Sequence, residues 1–129
     1  MIDDKKYGYD DDDDFDDEDT LKDKFLTFRL KEEDYGIAIK YVTEIIGIQK
    51  ITLVPEMPSH IKGVINLRGK IIPVIDMRIR FRFEPKAYEE RTCIIVVDMG
   101  GAAIGLVVDE VLEVLSITEE NIELTRNFN

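Results

Sequence analysis

The chain has 129 residues, of which 44% are hydrophobic, and a formal net charge of −11, so it can bury one small core. Residues 1–20 hold 11 of the 28 acidic residues and only two lysines, which leaves 17 acidic and 15 basic residues for the rest. The remaining chain is almost neutral, which disfavours a nucleic-acid-binding protein. No stretch approaches the ~18 apolar residues of a membrane span. The single cysteine allows no internal disulfide and fits a cytoplasmic protein.

Residues 1–21 are predicted to form a disordered acidic tail. They contain few apolar side chains and the run Asp10–Asp14, so they cannot bury enough surface to offset the entropy of ordering. The run lacks the alternating ligands and central glycine of a calcium-binding loop, and the segment lacks the apolar core of a signal peptide. We expect residues 22–129 to form the folded domain.

Two strands are predicted at the start of this domain. Apolar and polar residues alternate over 24–31 and, after the polar turn 32–34, again over Tyr35–Ile39, which is the period of half-buried strands. The apolar side chains then recur at the helical spacing i, i+3, i+4, at Val42, Ile45 and Ile46. We therefore predict a short helix over Lys40–Ile46 that ends at Gly47.

A hairpin is predicted in the middle of the domain. The stretch GVINLRGKIIPVIDM, residues 63–77, contains two apolar strands around Arg68 and Gly69, and Gly69 can adopt the positive φ of a tight turn. Pro73 has no amide hydrogen, so its strand is expected at an edge or at a bulge. Upstream of the hairpin, we predict a further strand over Ile48–Val54 and one helical turn over Ser59–Lys62.

Two more strands follow the hairpin. Cys93–Val97 is an apolar run typical of a strand covered on both faces, and Gly100–Gly101 turns the chain back into Ala103–Val108. The apolar pattern then extends to Leu115. About eight short strands with at most two or three short helices predict an all-β barrel or sandwich.

The sequence lacks the residues of a catalytic centre. It has one histidine and one cysteine, and His60 directly follows a serine, whose side chain it cannot face as a base must. We expect His60 to be a surface or half-buried residue and Cys93 to be a buried, inert thiol. Asp76, Asp98 and Asp109 each end an apolar strand, where we expect solvated carboxylates. No phosphate-binding loop, dinucleotide motif or metal-ligand spacing is present, so we predict a non-enzyme without cofactor or metal.

The segment Arg78–Phe83 alternates arginine with Ile79, Phe81 and Phe83, a pattern that small nucleic-acid-binding barrels also show. The near-neutral domain and the acidic tail both oppose phosphate binding. We interpret the segment as amphipathic, with its aromatic side chains inward and its arginines reaching outward.

Four segments together resemble the CheW family of bacterial chemotaxis coupling proteins. In chain order they are FLTFRLKEEDYGIAI, YVTEIIG, PSHIKGVINLRGKIIPVIDMR and AAIGLVVDEVLEVL. The resemblance covers residues 24–124, and its most specific motifs are IKGVINLRG (61–69) and GLVVD (105–109) with a valine close behind. Related domains occur in the kinase CheA and in CheV. Since the sequence contains no kinase or receiver segment, a free-standing CheW-like protein is favoured, with a CheV-type domain as an alternative.

The resemblance implies a fold and a set of partners. The fold would be all-β with a few short helices, and two small SH3-like β-barrels would share a hydrophobic core. Family members also carry a final pair of strands and a C-terminal helix, which we expect this sequence to lack. The protein would be a non-catalytic adaptor that joins the cytoplasmic tips of methyl-accepting chemotaxis receptors to the regulatory domain of the histidine kinase CheA, in cytoplasmic arrays beneath the inner membrane. The rival hypothesis is an SH3-like module that binds a peptide or a nucleic acid.

The resemblance also implies two partner-binding surfaces. The receptor-binding groove would be lined by Val42, Glu44, Arg68, Cys93, Ile94, Gly105 and Val111, where Cys93 replaces the aliphatic residue usual in the family. The kinase-binding surface would include Lys62 and Gly63, at a strand edge that leaves room for a partner backbone. Two roles for Arg68 stay open: its guanidinium recognises a partner's carboxylate or helix end, or it pairs internally with Glu44.

Overall fold

The computed structural model describes residues 22–118; the predicted tail 1–21 and residues 119–129 lie outside the described residues. The described part contains eight strands, one four-residue α-helix and a 3₁₀ turn. In chain order they are β1 (Lys24–Leu30), β2 (Glu33–Ala38), the 3₁₀ turn (Ile39–Tyr41), β3 (Val42–Gly47), β4 (Ile61–Leu67), β5 (Lys70–Asp76), α1 (Met77–Arg80), β6 (Cys93–Met99), β7 (Ala102–Val108) and β8 (Glu110–Ser116).

The strands form two sheets. The first has the order β2-β1-β8, and the second has the order β3-β6-β7-β5-β4. Neighbouring strands are antiparallel except for β5 and β7, which run parallel and place Val74 opposite Gly105. Because β7 of the second sheet leads directly into β8 of the first, the short connection at Asp109 joins the two sheets.

Strands β6 and β7 separate two hydrophobic clusters. Successive residues of a strand face opposite sides of the sheet, so Ile95 and Val97 enter one cluster while Ile94 and Val96 enter the other. The buried members of the first cluster are Leu26, Phe28, Leu30, Ile37, Met77, Ile95, Val97, Leu106 and Val108, and those of the second are Ile65, Leu67, Ile72, Val74, Ile94, Val96 and Val107. The prediction of a strand covered on both faces is confirmed for residues 94–97.

The second sheet closes toward a barrel through the segment that joins its two outer strands, β3 and β4. Ile51, in the segment that joins these two strands, packs on the second cluster. Thr52 then bonds to Val64 of β4 through its N–H (2.8 Å) and its C=O (2.9 Å). The side chain of Glu44 on β3 also meets that of Arg68, just beyond the end of β4. Closure of this kind protects backbone groups at the sheet edges.

Two residues of the β4–β5 hairpin fit this closure. An added Cβ on Gly63 would lie only 2.2 Å from the carbonyl oxygen of Thr52. Only glycine therefore fits where the segment around Thr52, here called the crossing segment, passes over β4. Pro73 lies opposite Val64, whose N–H and C=O both bond to Thr52, so the missing proline N–H breaks no bond between β4 and β5. Strand β5 is interior rather than at an edge, and the nearby bulge lies on β4 between Ile61 and Gly63.

The predicted helix over Lys40–Ile46 is wrong. The 3₁₀ turn ends at Tyr41, and strand β3 follows directly and pairs with β6. The three residues at helical spacing are all β-branched, a type that favours strands. Alternation along β3 leaves Ile45 44% exposed, whereas a buried helical stripe would have covered it.

Two further local predictions are wrong. Residues Ile48–Val54 form a single bridge, from Thr52 to Val64, instead of a strand. The predicted helical turn over Ser59–Lys62 is instead the entry into β4, which begins at Ile61. Both stretches depend on contacts with the opposite side of the barrel, which local sequence patterns do not encode.

Candidate partner-binding surface

The ion pair between Glu44 and Arg68 is the centre of the candidate surface. Nη2 of Arg68 donates to Oε2 of Glu44, which links the turn of the β4–β5 hairpin to strand β3. The Arg68 side chain is 68% exposed and the Glu44 side chain 32%. Since a guanidinium carries five N–H donors in a planar fork, this contact leaves most of the fork open to a further acceptor. Internal pairing of Arg68, one of the two roles considered, is therefore present in the structure.

Exposed hydrophobic side chains lie beside this pair along the chain. Tyr41 immediately precedes β3, and Ile45 follows Glu44 on the strand; both are exposed. Ile45 pairs with Ile95 and Glu44 with Val96, whose side chains face opposite sides of the sheet, so the exposed Ile45 side chain lies on the other face of β3 from the ion pair. The pair itself can hold a charged or polar group of a partner.

The other residues predicted for the receptor groove are spread over four strands. Val42 on β3 and Val111 on β8 pack against the first cluster, with Val111 opposite Phe28. Ile94 on β6 is 0% exposed and belongs to the second cluster. Gly105 on β7 lies against it, because an added Cβ would be 2.9 Å from Cγ2 of Ile94. Ile94 and Gly105 thus pack against each other below the surface.

Cys93, at the start of β6, is partly exposed rather than buried as expected. Its thiol donates to the carbonyl oxygen of Arg91 at 3.1 Å. The residue begins its strand at the rim of the sheet, where the flanking loop does not cover it. Of the residues predicted for the groove, Glu44 and Arg68 are the two whose side chains form a direct polar contact.

Lys62 and Gly63, predicted for the kinase-binding surface, differ in accessibility. Lys62 is exposed, and its Nζ lies 5.8 Å from the ring centroid of Tyr88. Gly63 is buried beneath the crossing segment. Lys62 also borders an apolar groove of about 510 Å³, which Leu53 and Met57 line from the opposite loop.

A buried carboxylate caps helix α1, and the expected solvation of Asp76 is wrong. Asp76 is 4% exposed, and its Oδ1 accepts from the backbone N–H of Arg78 (3.0 Å) and of Ile79 (3.4 Å), as an N-cap does. Its Oδ2 accepts from the hydroxyl of Tyr88 at 2.9 Å. Burial, together with this hydrogen bond and the nearby charge of Asp76, raises the pKa of Tyr88.

A second ionic contact links the two sheets. Nε and Nη2 of Arg78 donate to the carboxylate of Asp109 at 2.8–3.0 Å, and the backbone N–H of Lys31 donates to the same group at 2.8 Å. Burial acts to raise the pKa of Asp109, but the hydrogen bonds from Arg78 and Lys31 outweigh it, so this pKa lies below its usual value. The expectations of an outward Arg78 and a solvated Asp109 are wrong, whereas the inward packing of Phe81 and Phe83 is confirmed.

Within residues 22–118, no group of three or more histidine, cysteine, aspartate or glutamate side chains is placed to hold a metal ion. In the same range, no helix has the length and apolar character needed to cross a bilayer. His60 is partly buried, as predicted, and its backbone carbonyl accepts from the N–H of Asp76 at 2.9 Å.

Comparison with known proteins identifies the family. The model of the CheW-like domain matches residues 24–129. The chain belongs to the CheW-like family. It is 44% identical over 109 residues to the chemotaxis protein CheW of Klebsiella aerogenes, covering 84% of this chain and 66% of that protein. It is 36% identical over 100 residues to the chemotaxis protein CheW of Bacillus subtilis, covering 78% and 64% respectively.

A solved structure supports the family fold. The crystal structure of the scaffolding protein TtCheW from Thermoanaerobacter tengcongensis matches with a TM-score of 0.74 and 46% identity, covering 78% of this chain and 69% of that one. The predicted fold class, all-β with two small SH3-like barrels, is confirmed by this likeness. The chain spans about two thirds of the length of these CheW relatives, or slightly less.

Proposed function

We propose that this CheW-like protein is a non-catalytic chemotaxis adaptor that couples the cytoplasmic tips of chemoreceptors to the histidine kinase CheA. Family membership supports the proposal, because the relatives are named chemotaxis proteins and one solved relative is titled a scaffolding protein. The proposed location is the cytoplasmic face of receptor arrays. An adaptor needs exposed binding surfaces, and the Arg68 side chain is 68% exposed.

The exposed Glu44–Arg68 pair is the observation that carries this proposal. A fork that already holds one carboxylate on a barrel rim is restrained in direction and still presents donors to an incoming carboxylate or to the carbonyl groups of a helix end. Internal support and recognition are therefore compatible roles for Arg68.

The other residues predicted for the two surfaces would contribute either by direct contact or by supporting the surface from below. Val42, Cys93 and Val111 would border the receptor groove, while Ile94 and Gly105 would shape it from below through their mutual packing. Lys62 would contact CheA directly. Gly63 would act indirectly, by letting the segment at Thr52 close over β4.

Co-sedimentation with receptor-containing membranes tests the receptor contact. Arg68→Ala should weaken receptor binding by ~2–5 kcal/mol if the partner charge is desolvated in the complex. Arg29→Ala is the matched control, because Arg29 also forms an exposed ion pair, with Asp34 at 3.0 Å, and lies on the other sheet. Equal receptor binding by both variants, with unchanged circular dichroism, would remove Arg68 from the site. Binding to a peptide or an oligonucleotide alone would favour the SH3-like alternative.

Capture of CheA by the immobilised protein tests the kinase contact. Lys62→Glu should reduce CheA capture and leave receptor binding unchanged, because reversing a rim charge alters the field that a partner meets. Lys31→Glu is the control, since Lys31 is also exposed and its Nζ lies 5.3 Å from the ring centroid of Phe83. Equal loss of CheA by both variants would indicate a general charge effect and not a contact at Lys62.

A further inference from the structure

The second sheet contains the same tight turn twice. In the β4–β5 hairpin, Arg68 and Gly69 have φ values of 50° and 87°, and in the β6–β7 hairpin, Gly100 and Gly101 have φ values of 67° and 92°. Positive φ at both central residues is the signature of the type I′ turn, whose backbone twist suits antiparallel strands. Both loops contain two residues, so the comparison is between equivalent positions.

The first central residue distinguishes the two turns. Gly100 adopts the left-handed region without strain, whereas Arg68 has a Cβ that disfavours it. In the β4–β5 turn, only the second central residue, Gly69, is a glycine and adopts positive φ without strain. Backbone strain of this kind persists where the surrounding structure enforces it, and it is concentrated at functional sites. The β4–β5 turn therefore keeps an arginine where a glycine would fit the backbone better.

Both turns are held by the same side-chain contact. Oδ1 of Asn66 accepts from the N–H of Gly69 at 2.9 Å, and Oδ1 of Asp98 accepts from the N–H of Gly101 at 2.9 Å. Each acceptor lies three residues before the donor, at the second-last position ahead of the turn. Local side-chain bonds of this type stabilise turns in preference to other backbone arrangements.

We infer that Asn66 is a positioning residue, whose bond to Gly69 holds Arg68 in the left-handed conformation and so directs its guanidinium to Glu44. Loss of the bond releases the turn, and Arg68 can then relax to negative φ and move its side chain away from the barrel rim. The consequence for receptor binding rests on the proposed function. The consequences for the turn and for the ion pair do not.

Nuclear magnetic resonance on the full chain tests the positioning role without a partner. In Asn66→Ala, the amide of Gly69 should exchange about fivefold faster, as expected for loss of one neutral hydrogen bond, and the coupling constant of Arg68 that reports φ should change. Asn66→Asp retains the acceptor oxygen and should restore both values. Asp98→Ala is the matched control: it should accelerate exchange at Gly101 and leave Arg68 unchanged. Unchanged Gly69 exchange and Arg68 coupling in Asn66→Ala would overturn the inference.

Two further measurements connect the turn to the ion pair and to function. A double-mutant cycle between Glu44 and Arg68 should show their interaction in the wild-type and Asn66→Asp backgrounds and lose it in Asn66→Ala; an interaction that survives in Asn66→Ala also overturns the inference. Receptor affinity should fall about fivefold in Asn66→Ala and recover in Asn66→Asp. If Arg68→Ala leaves receptor affinity unchanged, the proposed function fails, while the amide exchange and the cycle still decide the role of Asn66.

Discussion

The contact between Arg78 and Asp109 predicts a large effect from a small substitution. Asp109→Asn replaces one carboxylate oxygen by an amide nitrogen and removes the negative charge of the side chain. In the wild type, two nitrogens of Arg78 and the backbone N–H of Lys31 donate hydrogen bonds to that charged group. The side chains of Arg78 and Asp109 are only 13% and 20% exposed. The variant therefore leaves a largely buried guanidinium, which also donates to the carbonyl oxygen of Glu84 at 2.9 Å, without its negatively charged acceptor.

The expected loss of stability follows from this geometry. Breaking a fully buried pair costs ~3–5 kcal/mol, and hydrogen bonds to charged groups contribute ~1.5–3 kcal/mol. Because the pair is partly solvated and asparagine keeps one acceptor oxygen, we expect a loss of about 2–3 kcal/mol in the free energy of unfolding. For a domain of this size, each kcal/mol lowers the melting temperature by roughly 4–8 °C.

Urea unfolding followed by circular dichroism measures this loss. Asp34→Asn is the matched control, since Asp34 accepts from Arg29 at a similar distance but both side chains are about half exposed; the expected loss there is below ~1 kcal/mol. Equal destabilisation by the two substitutions would refute the reasoning, because it would show that burial does not strengthen the Arg78–Asp109 contact.

The pH dependence gives an independent check with a defined sign. The pKa of Asp109 is lowered in the folded protein, so the unfolded chain binds the proton more readily, and stability rises with pH between the folded and unfolded pKa values. The stabilisation is thus present above the unfolded pKa of Asp109 and is lost as pH falls through its folded pKa. The difference between the wild type and Asp109→Asn should shrink on acidification; a constant difference would contradict the assignment.

Three other substitutions test packing and polar contacts by the same unfolding measurement. Gly63→Ala should destabilise by about 2–3 kcal/mol through the clash with the backbone at the crossing segment, whereas Gly47→Ala, where a Cβ meets nothing within 4 Å, should not; equal effects would contradict the close approach. Gly105→Ala should cost about 1–3 kcal/mol by overpacking against Ile94, and a neutral result would mean that the neighbouring side chain yields freely. Tyr88→Phe should cost about 1–3 kcal/mol because it removes a donor to a buried carboxylate, and an unchanged midpoint would show that this carboxylate finds another donor.

Strands were predictable where their side chains alternate or where both faces are apolar. The local pattern predicts strands over residues 24–31 and Cys93–Val97, and the structure has strands over Lys24–Leu30 and Cys93–Met99. The helix predicted over Lys40–Ile46 is wrong because Val42 and Ile46 fit the spacing of a helix and also the alternation of a strand. Pairing with β6 decided in favour of a strand, and that partner lies about 50 residues away in the chain.

The candidate site was also predictable only in part from the sequence. The residues themselves indicated the hairpin and its turn at Arg68 and Gly69, because turn residues are a local property. Family resemblance named Arg68 as a contact, and an internal pair with Glu44 remained one of two alternatives. The pair forms because the second sheet closes on itself and brings together residues 24 positions apart.

The sequence by itself determined the strand-rich class and the hairpin, since these follow from periodicity and residue type. Only the tertiary structure decided which polar groups are paired. Asp76 and Asp109 end apolar strands, where solvent was the simplest expectation, yet each receives several hydrogen bonds, from α1 itself and from the loop that follows α1 or β1. Strand-end carboxylates look alike in sequence, and their surroundings depend on how the two sheets pack.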